Sequence, residues 1–150
     1  MEKITAFFDS IDLAKLVPEM DTLLGKVQTV TSLALVAGPI LMLILGLWYY
    51  FLPPKEANHR AGFRTWFGMG SVEAWLFTQR LAGIVWGGLG LVLIIVMGII
   101  CLGFGGKELA NIVTTALIAL IWQAGLALVA YLAICVIVTV RYDSKGLRRK

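Results

Sequence analysis

The sequence predicts an all-α integral membrane protein that crosses the bilayer three times. Of its 150 residues 59% are apolar and 15% are charged, whereas water-soluble domains have about 45–50% apolar and about 25% charged residues. The mean hydropathy is +0.88. Three apolar segments, at about 28–52, 81–104 and 109–140, each exceed the roughly 20 helical residues that cross a bilayer core. We therefore predict three transmembrane helices.

Residues 1–27 combine helical spacing of apolar side chains with too much charge to cross a membrane. The apolar positions are Ile4, Phe7, Phe8, Ile11, Leu13, Leu16, Val17, Met20, Leu23 and Leu24. This pattern predicts an amphipathic helix lying at the outer interface. Because proline is well tolerated at a first helical position, we expect a break near Val17 and a second helix that begins at Pro18. The segment is either a surface anchor or a lid and docking surface for an extracellular ligand.

The ends of the spans are marked by residue type. Aromatic residues at 48–51 suit the head-group level, and the prolines at 53–54 end the first span. Glycines at 103, 105 and 106 end the second span, and the short link that follows forces spans two and three into an antiparallel hairpin.

Basic residues are concentrated in the loop at 53–80, between spans one and two, and in the tail at 141–150. These residues are Lys55, Arg60, Arg64 and Arg80 in the loop, and Arg141, Lys145, Arg148, Arg149 and Lys150 after the third span. The link at 105–108 has only Lys107, and residues 1–27 have more acids than bases. Since short basic loops stay in the cytoplasm, we predict that loop 53–80 and the tail 141–150 are cytoplasmic. The N-terminus and the link then face outside.

Two features of the spans predict helix packing. Gly83, Gly87 and Gly90 share one face of span two, so a neighbouring helix can approach closely along this stripe. That neighbour is either another span of the same chain or a second copy. Gln123 is a strongly polar residue inside span three, and because lipid cannot satisfy its amide we expect it to face another helix or a wet cavity.

Residue types that carry catalysis are not grouped in this sequence. His59 is the single histidine, and Cys101 and Cys135 both lie inside predicted spans, where cysteine usually acts as a small apolar side chain. No zinc-protease, Cys-x-x-Cys, phosphate-loop or Ser/His/Asp motif is found. We therefore predict no catalytic residues, no metal, no cofactor and no enzyme. The span cores also lack charged residues, which disfavours a proton-coupled carrier.

The loop at 53–80 concentrates charge, aromatic rings and helix-breaking residues between two apolar runs. Gly62 permits a turn, and Ser71 with Glu73 suits the cap and first turn of a short helix leading into span two. We therefore expect a partly helical, interfacial loop. Two interpretations stay open: a membrane anchor whose Arg64 and Arg80 bind lipid phosphate, or a contact surface for a cytoplasmic partner or small ligand.

A series of residues in and after this loop resembles the signature of the SdpI family of bacterial membrane proteins. The series is Asn58, Gly62, Phe63, Arg64, Thr65, Met69, Ser71, Glu73, Trp75, Thr78, Gln79, Arg80 and Gly83. The similarity covers residues 45–90, and a third span follows as in that family. The chain differs in having Trp66 and Phe67 where proline often follows Arg-Thr, and in having residues 1–27 in place of additional spans.

The resemblance implies a protein of the bacterial cytoplasmic membrane that protects its cell from a secreted antimicrobial peptide or toxin. For some members of that family it also implies capture of a cytoplasmic regulator. The basic tail at 141–150 suits anionic lipid head groups, so we predict no direct contact with nucleic acid. The residues expected to contact a partner or ligand are Asn58, Gly62, Arg64, Thr65, Glu73, Trp75 and Arg80. Two other hypotheses are a small oligomeric channel or transporter subunit, and a membrane scaffold or accessory subunit of a larger complex.

Overall fold

The computed structural model describes residues 13–57 and 61–149, with side chains described from residue 22 onward. Within these ranges the chain forms long α-helices and no β-strand. The helices are α1 (Leu13–Phe51), α2 (Val72–Leu102) and α3 (Leu109–Arg141).

Each helix contains a stretch that is long and apolar enough to cross a membrane, which confirms the predicted all-α fold with three spans. The stretches are Thr22–Phe51, Val72–Leu102 and Leu109–Arg141. The chain is therefore a multi-pass membrane protein. Residues 1–12, and with them much of the predicted amphipathic helix, lie outside the described residues, as do Asn58 and His59.

α1 is one continuous helix of 39 residues, about 58 Å long at the usual helical rise. The predicted break near Val17 is absent, because the helix already includes Leu13 and passes through Pro18. Proline fixes φ near the helical value, but it removes one hydrogen-bond donor and its ring crowds the carbonyl four residues earlier. The helix continues through Pro18 despite this cost. Residues 13–27 thus belong to the same helix as the first span.

α1 and α2 form the most extensive helix pair, and their backbones touch along the glycine stripe. A Cβ atom added to Gly83 would lie 2.7 Å from the backbone nitrogen of Tyr50. A Cβ added to Gly90 would lie 2.7 Å from the backbone nitrogen of Leu43. Only residues without a side chain permit this approach, so the stripe packs inside the chain.

Gly87, the middle residue of the stripe, lies opposite Gly46 of α1. A Cβ on Gly87 would be 3.8 Å from the nearest Gly46 atoms, which is ordinary contact, whereas a Cβ on Gly46 would collide with the Gly87 backbone. Because α1 already covers the stripe, self-association would need a different face.

α3 is joined to α1 by a hydrogen bond that depends on a proline. Pro39 lies inside α1 and has no N–H to donate to the carbonyl of Leu35, four residues earlier. The Nε2 of Gln123 donates to this carbonyl oxygen at 2.9 Å. Gln123 is 8% exposed and Leu35 is 0% exposed, so the bond is shielded from water. The interhelical partner expected for Gln123 is thus a backbone carbonyl that Pro39 leaves free.

Gln123→Leu is expected to destabilise the bundle by about 1–2 kcal/mol, because the Leu35 carbonyl loses its donor. In a Pro39→Ala background, residue 39 supplies its own N–H to that carbonyl. The cost of Gln123→Leu should then shrink toward zero, as a double-mutant cycle of unfolding in detergent would measure. Equal costs in both backgrounds would show that the hydrogen bond does not depend on the proline.

Candidate functional site

A packed structure covers the end of the bundle where α1 ends, α2 begins and α3 ends. It consists of residues 61–71, the first two turns of α2 at 72–79, and a turn at 142–148; we call this unit the cap. One cluster of buried apolar side chains joins the cap to the helices: Phe63, Ala74, Ala82, Ile134, Val138 and Tyr142. The loop is therefore part of the folded core.

Gln79 holds the loop through both ends of its side-chain amide. Its Nε2 donates to the carbonyl of Phe63 at 2.7 Å, and its Oε1 accepts from the backbone N–H of Phe63 at 2.8 Å. Gln79 is 0% exposed. The buried backbone N–H and C=O of Phe63 each need a hydrogen-bond partner, and the side-chain amide of Gln79 supplies both.

The ring of Phe63 is the anchor that this pairing positions. It contacts Tyr49 of α1 with ring centroids 6.4 Å apart, Trp86 of α2 at 6.2 Å and Tyr131 of α3 at 5.3 Å. One loop residue thus reaches all three helices.

Trp75 ties the start of α2 to the segment that leaves α1. Its Nε1 donates to the carbonyl of Pro54 at 2.7 Å, and its side chain is 0% exposed. Gly62 adopts φ of +109° and lies so close that a Cβ would be 2.7 Å from the Trp75 ring. Both residues were predicted to contact a partner; Trp75 instead lies in the interior, because its large ring fills the space beneath the loop.

Thr65, a third predicted contact residue, also supports the loop from within. It is 9% exposed, and its Oγ1 accepts from the backbone N–H of Gly68 at 3.0 Å. A Cβ on Gly68 would lie 2.5 Å from the hydroxyl oxygens of Thr65 and Thr78, so the turn packs tightly on α2. Thr65 therefore fixes the turn.

Ser71 begins α2 and also holds the turn at 142–148. Its Oγ accepts from the backbone N–H of Ala74 at 3.1 Å, which is the cap that the sequence predicts, and donates to the carbonyl of Gly146 at 2.7 Å. The helix it caps is longer than expected. It runs without interruption from Val72 to Leu102, so the helical part of the predicted loop is the beginning of α2.

The turn at 142–148 was predicted only as part of a basic tail. Asp143 Oδ1 accepts from the backbone N–H groups of Lys145 and Leu147 at 2.9 and 2.8 Å. Gly146 adopts φ of +73° against the backbone of Gly70 and Ser71. The sequence signal for this turn is an aspartate followed three residues later by glycine.

The remaining predicted contact residues lie at the surface of the cap. Arg64, Glu73 and Arg80 are exposed. Trp66, which sequence reasoning did not choose as a contact residue, is 83% exposed. Among the described residues no group of three or more His, Cys, Asp or Glu side chains is placed to hold a metal ion. The surface of the cap thus offers charge and an aromatic ring for binding.

A groove of about 290 Å³ lies between the start of α2 and the end of α3. It is lined by Glu73, Leu76, Phe77, Arg80, Arg141 and Tyr142. The guanidinium of Arg141 lies 4.3 Å from the centre of the Phe77 ring. The Tyr142 hydroxyl donates to Glu73 Oε1 at 3.4 Å. Burial, with the nearby Glu73 carboxylate, raises the pKa of Tyr142, so its hydroxyl keeps its proton at neutral pH.

The fold and the cap define a class: a three-span α-helical membrane protein with a structured assembly of loop and turn at one end of its bundle. No protein-family model, curated protein or solved structure matches this chain.

Proposed function

We propose that this chain is a bacterial membrane immunity or signalling protein similar to the SdpI family, whose cap binds a cytoplasmic regulator. One observation carries the proposal. The residues that give the resemblance are spread over 58–83, yet the described buried side chains of the series converge in the cap. They are Phe63, Thr65, Trp75, Thr78 and Gln79. Residues that serve one structural unit are the kind a family signature preserves.

The distribution of charge supports a cytoplasmic position for the cap. Arg64, Arg80 and Arg141 lie at the cap end of the bundle, whereas Lys107 and Glu108 balance each other at the opposite end. In this orientation the N-terminal end of α1 and the link between α2 and α3 lie on the outer side of the membrane, where they would meet a secreted peptide or toxin.

The surface of the cap suits a protein partner. Arg64 and Trp66 are exposed neighbours, while Phe63 and Thr65 beside them are buried and hold the backbone in place. Arginine and tryptophan are the residue types that most often dominate binding at protein interfaces. A rigid backbone that presents them lowers the entropy lost on binding.

Toxin challenge and regulator capture test the two parts of the proposal. Sensitive cells that express the chain should survive a secreted toxin encoded beside it. Arg64→Ala should weaken capture of the cytoplasmic regulator at the membrane by about tenfold or more, because arginines often dominate binding at protein interfaces. Lys145→Ala, which removes one exposed charge from the turn, serves as the matched control and should capture the regulator like the wild type. Protein level and membrane insertion should be equal in all three.

Two outcomes would contradict this function. If the unaltered chain protects against no toxin encoded nearby, the immunity proposal fails. If Arg64→Ala lowers protein level and regulator capture together, Arg64 acts in folding and the contact surface must be sought elsewhere.

The alternatives differ in how they use the helices. A channel assembled through the glycine stripe is not favoured, because α1 covers Gly83 and Gly90. A scaffold is favoured by α3, which packs less extensively on α1 and α2 than these pack on each other. A scaffold should co-purify with a larger membrane complex, whereas a channel should give a defined oligomer in nanodiscs.

A further inference from the structure

Two arginines line the groove between α2 and α3. Arg80 comes from α2 and Arg141 from the last position of α3, 61 residues apart in sequence. Planar guanidinium groups bind phosphate through paired hydrogen bonds, so two of them facing one groove favour a phosphate-bearing anion.

Neither charge is neutralised by an ion pair within the described part of the chain. Arg80 makes no side-chain hydrogen bond there, and Arg141 stacks on the ring of Phe77. The carboxylate in the groove, Glu73, is directed to the Tyr142 hydroxyl at 3.4 Å. With two cations and one carboxylate, the groove keeps a positive charge.

Both arginines of the groove flank the apolar runs of their helices. Arg80 directly precedes the apolar run of α2 that ends at Leu102, and Arg141 directly follows the apolar run of α3 that begins at Leu109. Basic residues at the ends of membrane spans favour the head-group layer. Glu73 lies about 10 Å farther from the apolar run along α2. The cationic part of the groove therefore lies nearest the lipid.

The end of α3 is held in position beside the groove. The Arg141 guanidinium stacks over Phe77, and the next residue, Tyr142, is 2% exposed. The carbonyl of Arg141 accepts from the N–H of Arg149, which closes the turn beside the groove. The Arg141 side of the groove is therefore prearranged.

We propose that Arg80 and Arg141 bind the phosphate of an anionic membrane phospholipid. The bound lipid clamps the end of α3 to the start of α2. This site is separate from the Arg64 surface and does not require the proposed immunity function.

Native mass spectrometry of the full chain, released from mixed micelles, measures this binding. With phosphatidylglycerol the wild type should retain one lipid molecule, and with phosphatidylcholine much less. Arg80→Gln and Arg141→Gln should each weaken phosphatidylglycerol binding about tenfold. Arg148→Gln is the matched control: it removes one positive charge from an exposed position in the same turn, outside the groove, and should change binding by less than about twofold.

A variant that binds the lipid more tightly would show that misfolding does not explain the weaker binding of the arginine variants. Glu73→Gln removes the one negative charge of the groove and should strengthen phosphatidylglycerol binding about threefold. Addition of inorganic phosphate should not displace the lipid.

Three results would overturn the proposal. Arg148→Gln could weaken binding as much as Arg80→Gln, which would mean diffuse charge attraction. Glu73→Gln could leave binding unchanged or weaken it. Inorganic phosphate could displace the lipid, which would assign the groove to a soluble phosphate compound.

Discussion

Gly90→Ala is expected to destabilise the bundle by about 2 kcal/mol, although alanine is the better helix former. The new Cβ would lie 2.7 Å from the nitrogen of Leu43 and 2.9 Å from the carbonyl oxygen of Pro39. Both are backbone atoms of α1, so neither can move aside without shifting the helix. The two helices must separate, and the contacts along their interface weaken.

Gly88→Ala is the matched control, two residues away in the same helix. Gly88 is exposed, and a Cβ there would meet nothing within 4 Å. This change should be neutral or stabilise by up to about 1 kcal/mol, since alanine restricts the unfolded chain more than glycine does. Unfolding in detergent, followed by circular dichroism, measures both variants. Destabilisation of the same size in both would refute close backbone contact between α1 and α2.

Gln79→Leu is expected to release the loop from the bundle. Leucine has a similar volume but no hydrogen-bonding groups, so the buried N–H and carbonyl of Phe63 both lose their partner. Each unsatisfied group costs about 1–3 kcal/mol, and the native loop should lose about 2–4 kcal/mol of stability relative to its open state. The three spans should still insert, because their apolar composition is unchanged.

The rate of limited trypsin cleavage after Arg64 measures this opening of the loop. The residue is exposed, but buried Phe63 and Thr65 on either side hold its backbone against the core. Cleavage after Arg64 should become at least about tenfold faster in Gln79→Leu. Gln28→Leu, a glutamine replacement in α1 far from the cap in sequence, should leave the rate unchanged. An unchanged rate in Gln79→Leu would show that the amide pairing does not hold the loop.

The three-span fold follows from the sequence because membrane insertion depends mainly on length and apolar composition. Long uncharged runs satisfy that condition whatever their neighbours are. The N-cap at Ser71 is also local, since a serine oxygen and an acid two residues later lie within one helical turn. These features need no knowledge of how the helices pack.

Features that depend on packing between distant segments could not be predicted in the same way. Trp75 resembles an interfacial aromatic residue in sequence, and its burial depends on Pro54 and on the positive φ of Gly62. The role of Gln123 depends on Pro39, which removes a donor from a different helix. The continuity of α1 through Pro18 likewise depends on the whole helix, and the residues around Pro18 do not predict it.

The candidate site likewise has features that the local sequence predicts and features that depend on distant segments. Arg64, Glu73 and Arg80 belong to the series that resembles the family signature, and the structure places them at the surface. Arg141 was counted only as part of a basic tail, because nothing in its neighbourhood in sequence shows that it meets Arg80. The turn at 142–148, which brings them together, is held by contacts to Ser71 that span more than 70 residues of chain.

The sidedness of the cap decides which partners can reach it, and cysteine labelling of intact cells tests it most directly. In a chain with Cys101 and Cys135 replaced by alanine, a membrane-impermeant maleimide should modify Lys107→Cys in the link between α2 and α3. It should modify Trp66→Cys in the cap only after the cells are permeabilised. Labelling of Trp66→Cys in intact cells, with Lys107→Cys protected, would place the cap outside and contradict the proposed regulator contact.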